Sequence, residues 1–296
     1  MHEEAIRKAE VLIEALGFIR KFQGRFTVIK LGGSVMEDPE ALRALLVDVV
    51  FMQTVNMRPV VVHGGGKAIT CAMERAGPEA KFVQGRRYTD EATLEIVARV
   101  LAEEINEDIV RHINKFGGRA AGLHHKTHPC LVGKKWTLTG EDGQPIDLGR
   151  VGEVTEVDSV LIETMCLGGV IPVLPSLAQD EEGHLLNVNA DTAASAVAKA
   201  LRAEKLVFLT DTPGILLDRN EPSSLIRSLS PDQCRDLIDR HVIERGMIPK
   251  VEACLDSLQA GVHKTHMIDG RLPHSVLLEI FTGIGIGTEI VLKPTG

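Results

Sequence analysis

Aromatic side chains and a basic excess are both lacking in this chain of 296 residues. Phe, Trp and Tyr make up 3% of the sequence, and the formal net charge is −8 at pH 7. Nucleic-acid-binding proteins use aromatic stacking platforms or a basic face, so the composition excludes nucleic acid as an expected partner. No run approaches the roughly 18 apolar residues of a membrane helix, and we expect no membrane partner.

Cysteine pairs and a targeting signal are missing as well. The five cysteines include no CxxC pair, and an odd number in a chain of this size favours reduced, mostly buried thiols. The N-terminal sequence MHEEAIRKAE has acidic residues where a secretory signal has a basic start followed by an apolar run. We therefore expect a cytoplasmic protein.

The spacing of apolar residues predicts an α/β fold. Residues 2–22 carry apolar side chains at helical spacing, which predicts an amphipathic helix before the first strand. From Phe26 onward, β-branched segments such as TVIKL and PVVVH alternate with longer helical segments, a pattern typical of βαβ units and a parallel sheet covered by helices. We interpret residues 120–158 as inserted hairpins and the acidic turn QDEEGH as a boundary between two lobes, 25–178 and 179–296.

Two predicted strands end in glycine clusters, KLGG and VHGGG, although the P-loop and GxGxxG signatures are absent. At the carboxyl end of a parallel strand, glycine lets the backbone approach a ligand and direct N–H groups at an anion. The turns at Gly32–Gly33 and Gly64–Gly66 therefore predict one anion cradle, unless they only permit tight turns. Lys30, in VIKLGG, would bring a cation to it, or would extend its ammonium into solvent.

Polar residues also precede a predicted helix in the second lobe. The segment NVNADTAASAVAKALRAEKL is interpreted as a turn and a helix, with Asn187, Asn189 and Asp191 ahead of the helix. One of them could be an N-cap, but a cap does not require three polar residues. Lys250 lies among apolar residues at the start of a later helix, in GMIPKVEACLDSL.

The segment HHKTHPC offers a different hypothesis, a metal site. It contains His124, His125, His128 and Cys130, but their spacing matches no standard zinc pattern. The alternative, which we favour, is a solvated loop.

Eight short motifs occur in order along the chain. They are KLGGS (30–34), VVVHGGG (60–66), GRRYTD (85–90), VGEV (151–154), NVNADTAA (187–194), LTDTPGIL (209–216), GMIPKV (246–251) and EIFTGIGIGT (279–288). Together they are similar to those of the amino acid kinase family, most closely to its members that phosphorylate N-acetyl-L-glutamate and are inhibited by arginine. The resemblance extends from about residue 5 to about residue 293.

This resemblance implies a three-layer αβα sandwich around a mainly parallel sheet. It makes residues 1–24 an oligomerisation helix, residues 25–178 the amino-acid-substrate lobe and residues 179–296 the nucleotide-binding lobe. The implied reaction, in arginine biosynthesis, transfers a phosphoryl group from ATP with Mg²⁺ to the side-chain carboxylate of N-acetyl-L-glutamate. A carboxylate with a pKa near 4 is already ionised at pH 7, so such a reaction needs positive charge and positioning rather than a general base.

The resemblance also implies roles for individual residues. Lys30 and Lys250 would supply positive charge, and Asp191 would hold both lysines. Arg87 would bind the free α-carboxylate of the substrate with its planar guanidinium. The other implied contacts are Gly65, Gly66, Asn187 and Asn189 on the substrate side, and Gly32, Gly33, Gly64, Thr210, Asp211 and Gly214 on the phosphate and nucleotide side. No metal ion held by the protein itself is implied.

Arginine-sensitive members of the family join dimers into a hexamer through an N-terminal helix and bind the effector beside it. Arginine needs an anion for its cationic end and a cation for its carboxylate, and Glu279 and Lys205 stand at matching positions. The matching set is Phe18, Lys205, His266, Glu279 and Gly287. The alternative is that these are ordinary surface charges and that the helix only packs against the core.

Two other functions stay open at the level of sequence. One is a related carboxylate kinase with an aspartate-like or aminoadipate-like substrate. The other is a homologue that binds arginine or a partner protein without turnover. The second alternative is supported by two departures from the family pattern, Lys67 after the triple glycine and HHKTHPC at 124–130, and a third departure is INED at 105–108.

Overall fold

The computed structural model describes residues 2–77, 79–83, 85–139, 144–244, 246–283 and 285–293. The α-helices are α1 His2–Phe22, α2 Gly33–Glu37, α3 Pro39–Thr54, α4 Gly66–Ala76, α5 Glu91–Ala98, α6 Glu107–Lys115, α7 Ser159–Leu167, α8 Ala190–Ala200, α9 Pro231–Asp239, α10 Ile248–Gln259 and α11 Ser275–Ile280. A π-helical segment, Arg99–Asn106, lies between α5 and α6, and Pro222–Ser224 form a 3₁₀ turn.

The strands are β1 Phe26–Leu31, β2 Arg58–His63, β3 Phe82–Val83, β4 Arg86–Arg87, β5 Ala120–Gly122, β6 Leu131–Lys135, β7 Leu138–Thr139, β8 Pro145–Ile146, β9 Val151–Val157, β10 Ile171–Pro175, β11 Leu177–Gln179, β12 Leu185–Val188, β13 Lys205–Thr210, β14 Ser228–Leu229, β15 Lys264–Asp269 and β16 Thr288–Ile290.

One eight-stranded sheet forms the centre of the molecule, in the order β14-β16-β15-β13-β1-β2-β10-β5. All of its strand pairs are parallel except β15 with β16. The mainly parallel sheet expected from the alternating pattern is therefore confirmed. Strands from both predicted lobes belong to this sheet, and the boundary at residues 178 and 179 falls inside β11.

Alternate residues of the central strands enter two different cores, because successive side chains of a strand point to opposite faces. Val28 packs with Val197 of α8 and Val251 of α10 on one face. Ile29 packs with Leu46 of α3 on the other. The sheet thus has helices on both sides, which is the three-layer αβα arrangement.

The segment before α8 differs from the sequence-based interpretation as a turn. Asn187 lies in strand β12, which pairs with β11 and β9. Strands β11, β12, β9 and β6 close into a small sheet of their own beside the main one. A short strand next to a helix boundary resembles a turn in sequence, and one of the two partners that define this strand, β9, lies far from it in the chain.

The interpretation of residues 120–158 as hairpins is only partly right. Strands β6 and β9 are antiparallel, as are β7 and β8. Strand β5, however, pairs parallel with β10 at the edge of the main sheet. The expected solvated loop is also wrong in part, because His124 and Cys130 are buried.

The predicted N-terminal helix is present as α1, but most of its apolar side chains have no covering core. Leu12 is 71% exposed and Ile13 is 70% exposed, whereas Phe22, at the end of the helix, is buried. None of the described helices is both long and apolar enough to cross a bilayer.

Candidate active site

A buried carboxylate between two lysines lies at the carboxyl ends of the central strands. Lys30 Nζ is 2.8 Å from Asp191 Oδ1, and Lys250 Nζ is 3.0 Å from Asp191 Oδ2. Burial raises the pKa of Asp191, but the two ammonium groups outweigh it and hold that pKa below its usual range. With one carboxylate and two lysines, the cluster has a formal charge of +1.

Three separate elements meet at this cluster. Lys30 is the penultimate residue of β1 and lies beside Val62 of β2 and Phe208 of β13 in the sheet. Asp191 is in the first turn of α8, and Lys250 is in the first turn of α10. Val28 and Lys30 share one face of β1, which is the face that α8 and α10 cover, so the lysine points toward the carboxylate.

Arg87 places a third cation beside the cluster. Its Nη2 donates to the carbonyl oxygen of Gly66 at 2.9 Å and to Thr70 Oγ1 at 2.7 Å. The guanidinium also lies over the ring of Phe82. Burial lowers the pKa of Arg87, and among the described residues no carboxylate is in ion-pair distance of it. A buried guanidinium held by neutral groups is suited to an incoming anion.

The two asparagines have different local roles. Asn189 is the N-cap of α8, and its Oδ1 accepts from the backbone N–H groups of Asp191 and Thr192 at 2.8 and 3.1 Å. Asn187 donates from Nδ2 to Thr89 Oγ1 at 3.1 Å. The capping role considered from sequence therefore holds for Asn189, and both side chains also line the cleft described next.

Both glycine turns are places of close approach. A Cβ at Gly32 would lie 2.2 Å from the carbonyl oxygen of Leu209, so the backbone there fits against β13 only without a side chain. A Cβ at Gly65 would lie 2.6 Å from Ile105 and 2.7 Å from Leu101. The turns lead directly into α2 and α4, whose first residues are Gly33 and Gly66.

Several of these groups surround one cleft of about 240 Å³, whereas Asp191, Lys250 and Gly32 are not part of its lining. The sequence-predicted residues that line it are Lys30, Gly33, Gly64, Gly65, Gly66, Arg87, Asn187 and Asn189. Ser176, which sequence reasoning missed, lines it too. It follows β10, and the general rule that ligands bind at the carboxyl ends of parallel strands could have identified it, because VIPVLPSL has the apolar pattern of a buried strand.

Three of the predicted nucleotide-side residues, Thr210, Asp211 and Gly214, do not line the cleft, whereas Gly33 and Gly64 do. Thr210 ends β13, and its hydroxyl donates to the carbonyl oxygen of Thr212 at 2.8 Å. Asp211 is exposed, and Gly214 is buried against Thr288. The loop that contains these residues follows Leu209, whose carbonyl oxygen lies against Gly32. It therefore lies on the β13 side of the Lys30–Asp191–Lys250 cluster.

A second pocket, of about 420 Å³, lies at the base of α1 and contains the predicted effector residues. Lys205 Nζ is 3.2 Å from His266 Nε2, and His266 Nδ1 is 2.7 Å from Glu279 Oε1. Burial lowers the pKa of Lys205 to about 8. Phe18 lines the pocket, and Gly287 borders it by donating its N–H to Glu279 at 3.0 Å.

The pKa of Glu279 is also below its usual range. Burial raises the pKa of Glu279, but His266 and the backbone N–H groups of Ile286 and Gly287 lower it by more than burial raises it. The pocket therefore holds an ionised carboxylate and a lysine within one small volume.

The histidines of HHKTHPC do not gather ligand atoms as a metal site would. Within the described ranges, the group that does so is Asp180, Glu182 and His184, whose ligand atoms lie within 4.8 Å of one another on a largely exposed turn. Burial raises the pKa of the Cys130 thiol to about 12, which disfavours the thiolate that a metal requires.

Comparison with known proteins connects this geometry to a family. The acetylglutamate kinase of Heliobacterium modesticaldum is 47% identical over 292 residues, covering 97% of this chain and 99% of that one. The acetylglutamate kinase of Methanocaldococcus jannaschii is 48% identical over 291 residues, covering 97% of each chain.

Among solved structures, N-acetylglutamate synthase from Neisseria gonorrhoeae has the same fold, with a TM-score of 0.83 at 24% identity. That match covers 97% of this chain, which spans 64% of the length of the synthase. Residues 25–269 match the model of the amino acid kinase family. The chain therefore belongs to the amino acid kinase family.

Proposed function

We propose that this enzyme transfers the γ-phosphoryl group of ATP to the side-chain carboxylate of N-acetyl-L-glutamate and forms an acyl phosphate. The observation that carries the proposal is the net-positive cluster of Lys30, Asp191 and Lys250. Arg87 is buried beside it, and among the described residues no carboxylate is within ion-pair distance of its guanidinium. The names of the two acetylglutamate kinases described above support the substrate. The five unpaired cysteines support a reducing compartment, which we propose to be the cytoplasm.

The chemical task is to bring an anionic carboxylate against an anionic triphosphate. One carboxylate oxygen of the substrate forms a bond to the γ-phosphorus, while the bond to the β,γ-bridging oxygen breaks and ADP leaves. Because the attacking carboxylate is already ionised, no side chain needs to remove a proton. The enzyme contributes positioning and positive charge, which are the main sources of catalysis in phosphoryl transfer.

Each part of the cleft has an assigned role in this proposal. Lys30 and Lys250 lie over the transferring group, and Asp191 fixes the separation between them. Arg87 binds the α-carboxylate of the substrate. The N–H groups of the turns at Gly32–Gly33 and Gly64–Gly66 face the phosphates and the substrate. Mg²⁺ enters with ATP as the metal–nucleotide substrate, and Thr210, Asp211 and Gly214 lie on the nucleotide side.

The proposal predicts a substrate preference that an assay of ADP formation can measure. We expect N-acetyl-L-glutamate to give the highest kcat/KM, with much lower values for glutamate, aspartate and aminoadipate. A preference for aspartate or aminoadipate would change the proposed substrate, but the enzyme would still be a carboxylate kinase. No turnover with any of the four acids would instead favour a non-catalytic homologue.

Removing either lysine should lower kcat while the fold stays intact. For Lys30→Ala and Lys250→Ala we expect a loss of roughly 10²-fold or more, because each removes a cation that stabilises the transition state. Lys115→Ala, which removes an exposed lysine at the end of α6, is the matched control and should keep its kcat. Near-normal kcat in either of these two variants, with circular dichroism unchanged, would contradict the catalytic role of that lysine.

Arg87→Lys should raise the KM for N-acetyl-L-glutamate much more than the KM for ATP. An ammonium is a point charge and does not reproduce the two-pronged contact that a guanidinium makes with a carboxylate. Initial rates measured with each substrate varied in turn separate the two constants. A selective rise in the KM for ATP would move Arg87 to the nucleotide side.

We further propose that L-arginine binds in the pocket of Lys205, His266 and Glu279 and inhibits the enzyme. The carboxylate of Glu279 is suited to the guanidinium of the effector, and Lys205 is suited to its carboxylate. The exposed apolar side of α1 supports a second part of the proposal, the pairing of this helix with α1 of another subunit. Such pairing would join dimers into a hexamer, as a trimer of dimers.

This regulatory proposal predicts that arginine inhibition can be lost while catalysis is kept. Glu279→Gln should raise the arginine concentration that halves activity by about tenfold or more, because it removes a charged acceptor. Glu156→Gln, at an exposed position in β9, is the control. A chain that begins at Gly24 should keep catalysis, lose arginine inhibition and show a smaller mass in light scattering. Full-length protein that is dimeric and unaffected by millimolar arginine would refute the regulation and leave the kinase assignment in place.

A further inference from the structure

We propose that Asn106 and His63 are positioning residues that hold the Gly64–Gly66 turn in the orientation that binds substrate. Neither residue lines the cleft. The proposal rests on the proposed function in one respect, because its kinetic test uses N-acetyl-L-glutamate. Its structural part, the hydrogen-bonding state of a buried imidazole, is independent of the substrate.

His63 is the last residue of β2 and is fully buried directly before the glycine turn. Its Nδ1 is 3.0 Å from the carbonyl oxygen of Gly64. A carbonyl oxygen only accepts, so Nδ1 carries the hydrogen and Nε2 is the acceptor of a neutral ring. Burial lowers the pKa of His63 to about 4, which keeps the ring neutral near pH 7. The titratable group that faces it, His124, also has its pKa lowered by burial.

Asn106 supplies the hydrogen that this tautomer needs. Its Nδ2 is 3.0 Å from His63 Nε2 and 3.0 Å from the carbonyl oxygen of Val173 in β10. Both neighbours are acceptors, so both hydrogens of the amide are used and the amide nitrogen must face them. A Cβ at Gly122 would lie 2.1 Å from Asn106 Oδ1, so the absence of a side chain there makes room for the amide.

The helical segment that ends at Asn106 also packs against the Gly64–Gly66 turn. Asn106 ends the π-helical segment Arg99–Asn106. Leu101 and Ile105 of this segment are the side chains that a Cβ at Gly65 would strike. A π-helical stretch within a helix is rare and changes which side chains face one way. Here it presents the two apolar side chains to Gly65 and the amide to His63.

The Gly64–Gly66 turn also holds the guanidinium of Arg87, which we propose binds the substrate. The carbonyl oxygen of Gly66 accepts from Arg87 Nη2 at 2.9 Å. A rotation of the peptide groups at Gly64–Gly66 would therefore redirect the turn's N–H groups and release Arg87 together. Asn106 and His63 act on the substrate through these groups and do not touch it.

The test is Asn106→Asp, which keeps the size of the side chain but removes its hydrogen-bond donor. An ionised carboxylate facing Nε2 requires a hydrogen on that nitrogen, so above the pKa of the new carboxyl group the ring must change tautomer or become protonated. A change of tautomer removes the donor to Gly64. Asn114→Asp, in α6, is the matched control, because Asn114 bonds the backbone of Ala120 away from the turn.

Two-bond ¹H–¹⁵N spectra of ¹⁵N-histidine-labelled protein report the state of the ring. In the unmodified enzyme we expect a neutral His63 with hydrogen on Nδ1 from pH 6 to pH 8. In Asn106→Asp we expect hydrogen on Nε2, and a KM for N-acetyl-L-glutamate that is about tenfold higher or more, with a smaller change in kcat. This KM should also vary with pH between 6 and 8, whereas in Asn114→Asp both the spectra and the KM should match the unmodified enzyme.

Several results would overturn the proposal. One is an Nε2–H tautomer, or a titration near pH 6.5, in the unmodified enzyme, a measurement that requires no variant. Another is a changed tautomer in Asn106→Asp with an unchanged KM, which would limit the pair to a structural role. If the unmodified enzyme does not phosphorylate N-acetyl-L-glutamate, the proposed function fails, and the tautomer spectra still decide whether Asn106 sets the state of His63.

Discussion

The buried carboxylate of Asp191 between Lys30 and Lys250 is the interaction on which the arrangement of the cleft depends. Two ammonium groups at 2.8 and 3.0 Å from one carboxylate leave a net positive charge with little freedom to move. Removing one partner of a buried ion pair is costly, since the remaining charge is left without compensation. The cluster therefore joins β1, α8 and α10 at one edge of the sheet, and it concentrates charge where the strands end.

The surroundings of the cluster are suited to an anionic ligand. Gly32 lies against Leu209, and Gly65 lies against Leu101 and Ile105, so the backbone of both turns reaches the cleft without a side chain in the way. The helices that follow begin at these turns, and the first N–H groups of a helix have no partner within it. Because Arg87 is held by neutral acceptors, its charge remains available to a ligand.

The second pocket is connected to the cleft by two paired strands. Lys205 is the first residue of β13 and lies beside Thr27 of β1, whereas Phe208 lies beside Lys30. The pocket at α1 and the charged cluster are thus at opposite ends of the same strand pair.

By itself, the sequence determined the local features of this protein, because each depends on neighbours in the chain. The alternating pattern predicted the strands and helices, and the glycine turns with Lys30 predicted an anion site. The order of the motifs indicated the family. Periodicity depends on a few adjacent residues, and these suffice to define an amphipathic helix or a buried strand.

The tertiary structure alone decided which of these features meet. Lys30 could point into either core, and only the packing of α8 and α10 on one face of the sheet brings Asp191 and Lys250 to it. The sequence indicated a turn at Asn187, whereas in the structure its strand, β12, pairs with β11 and β9. The tautomer of His63 depends on Asn106, which arrives from a distant π-helical segment. Such contacts between remote residues leave no local pattern in a single sequence, because they arise only when the chain is packed.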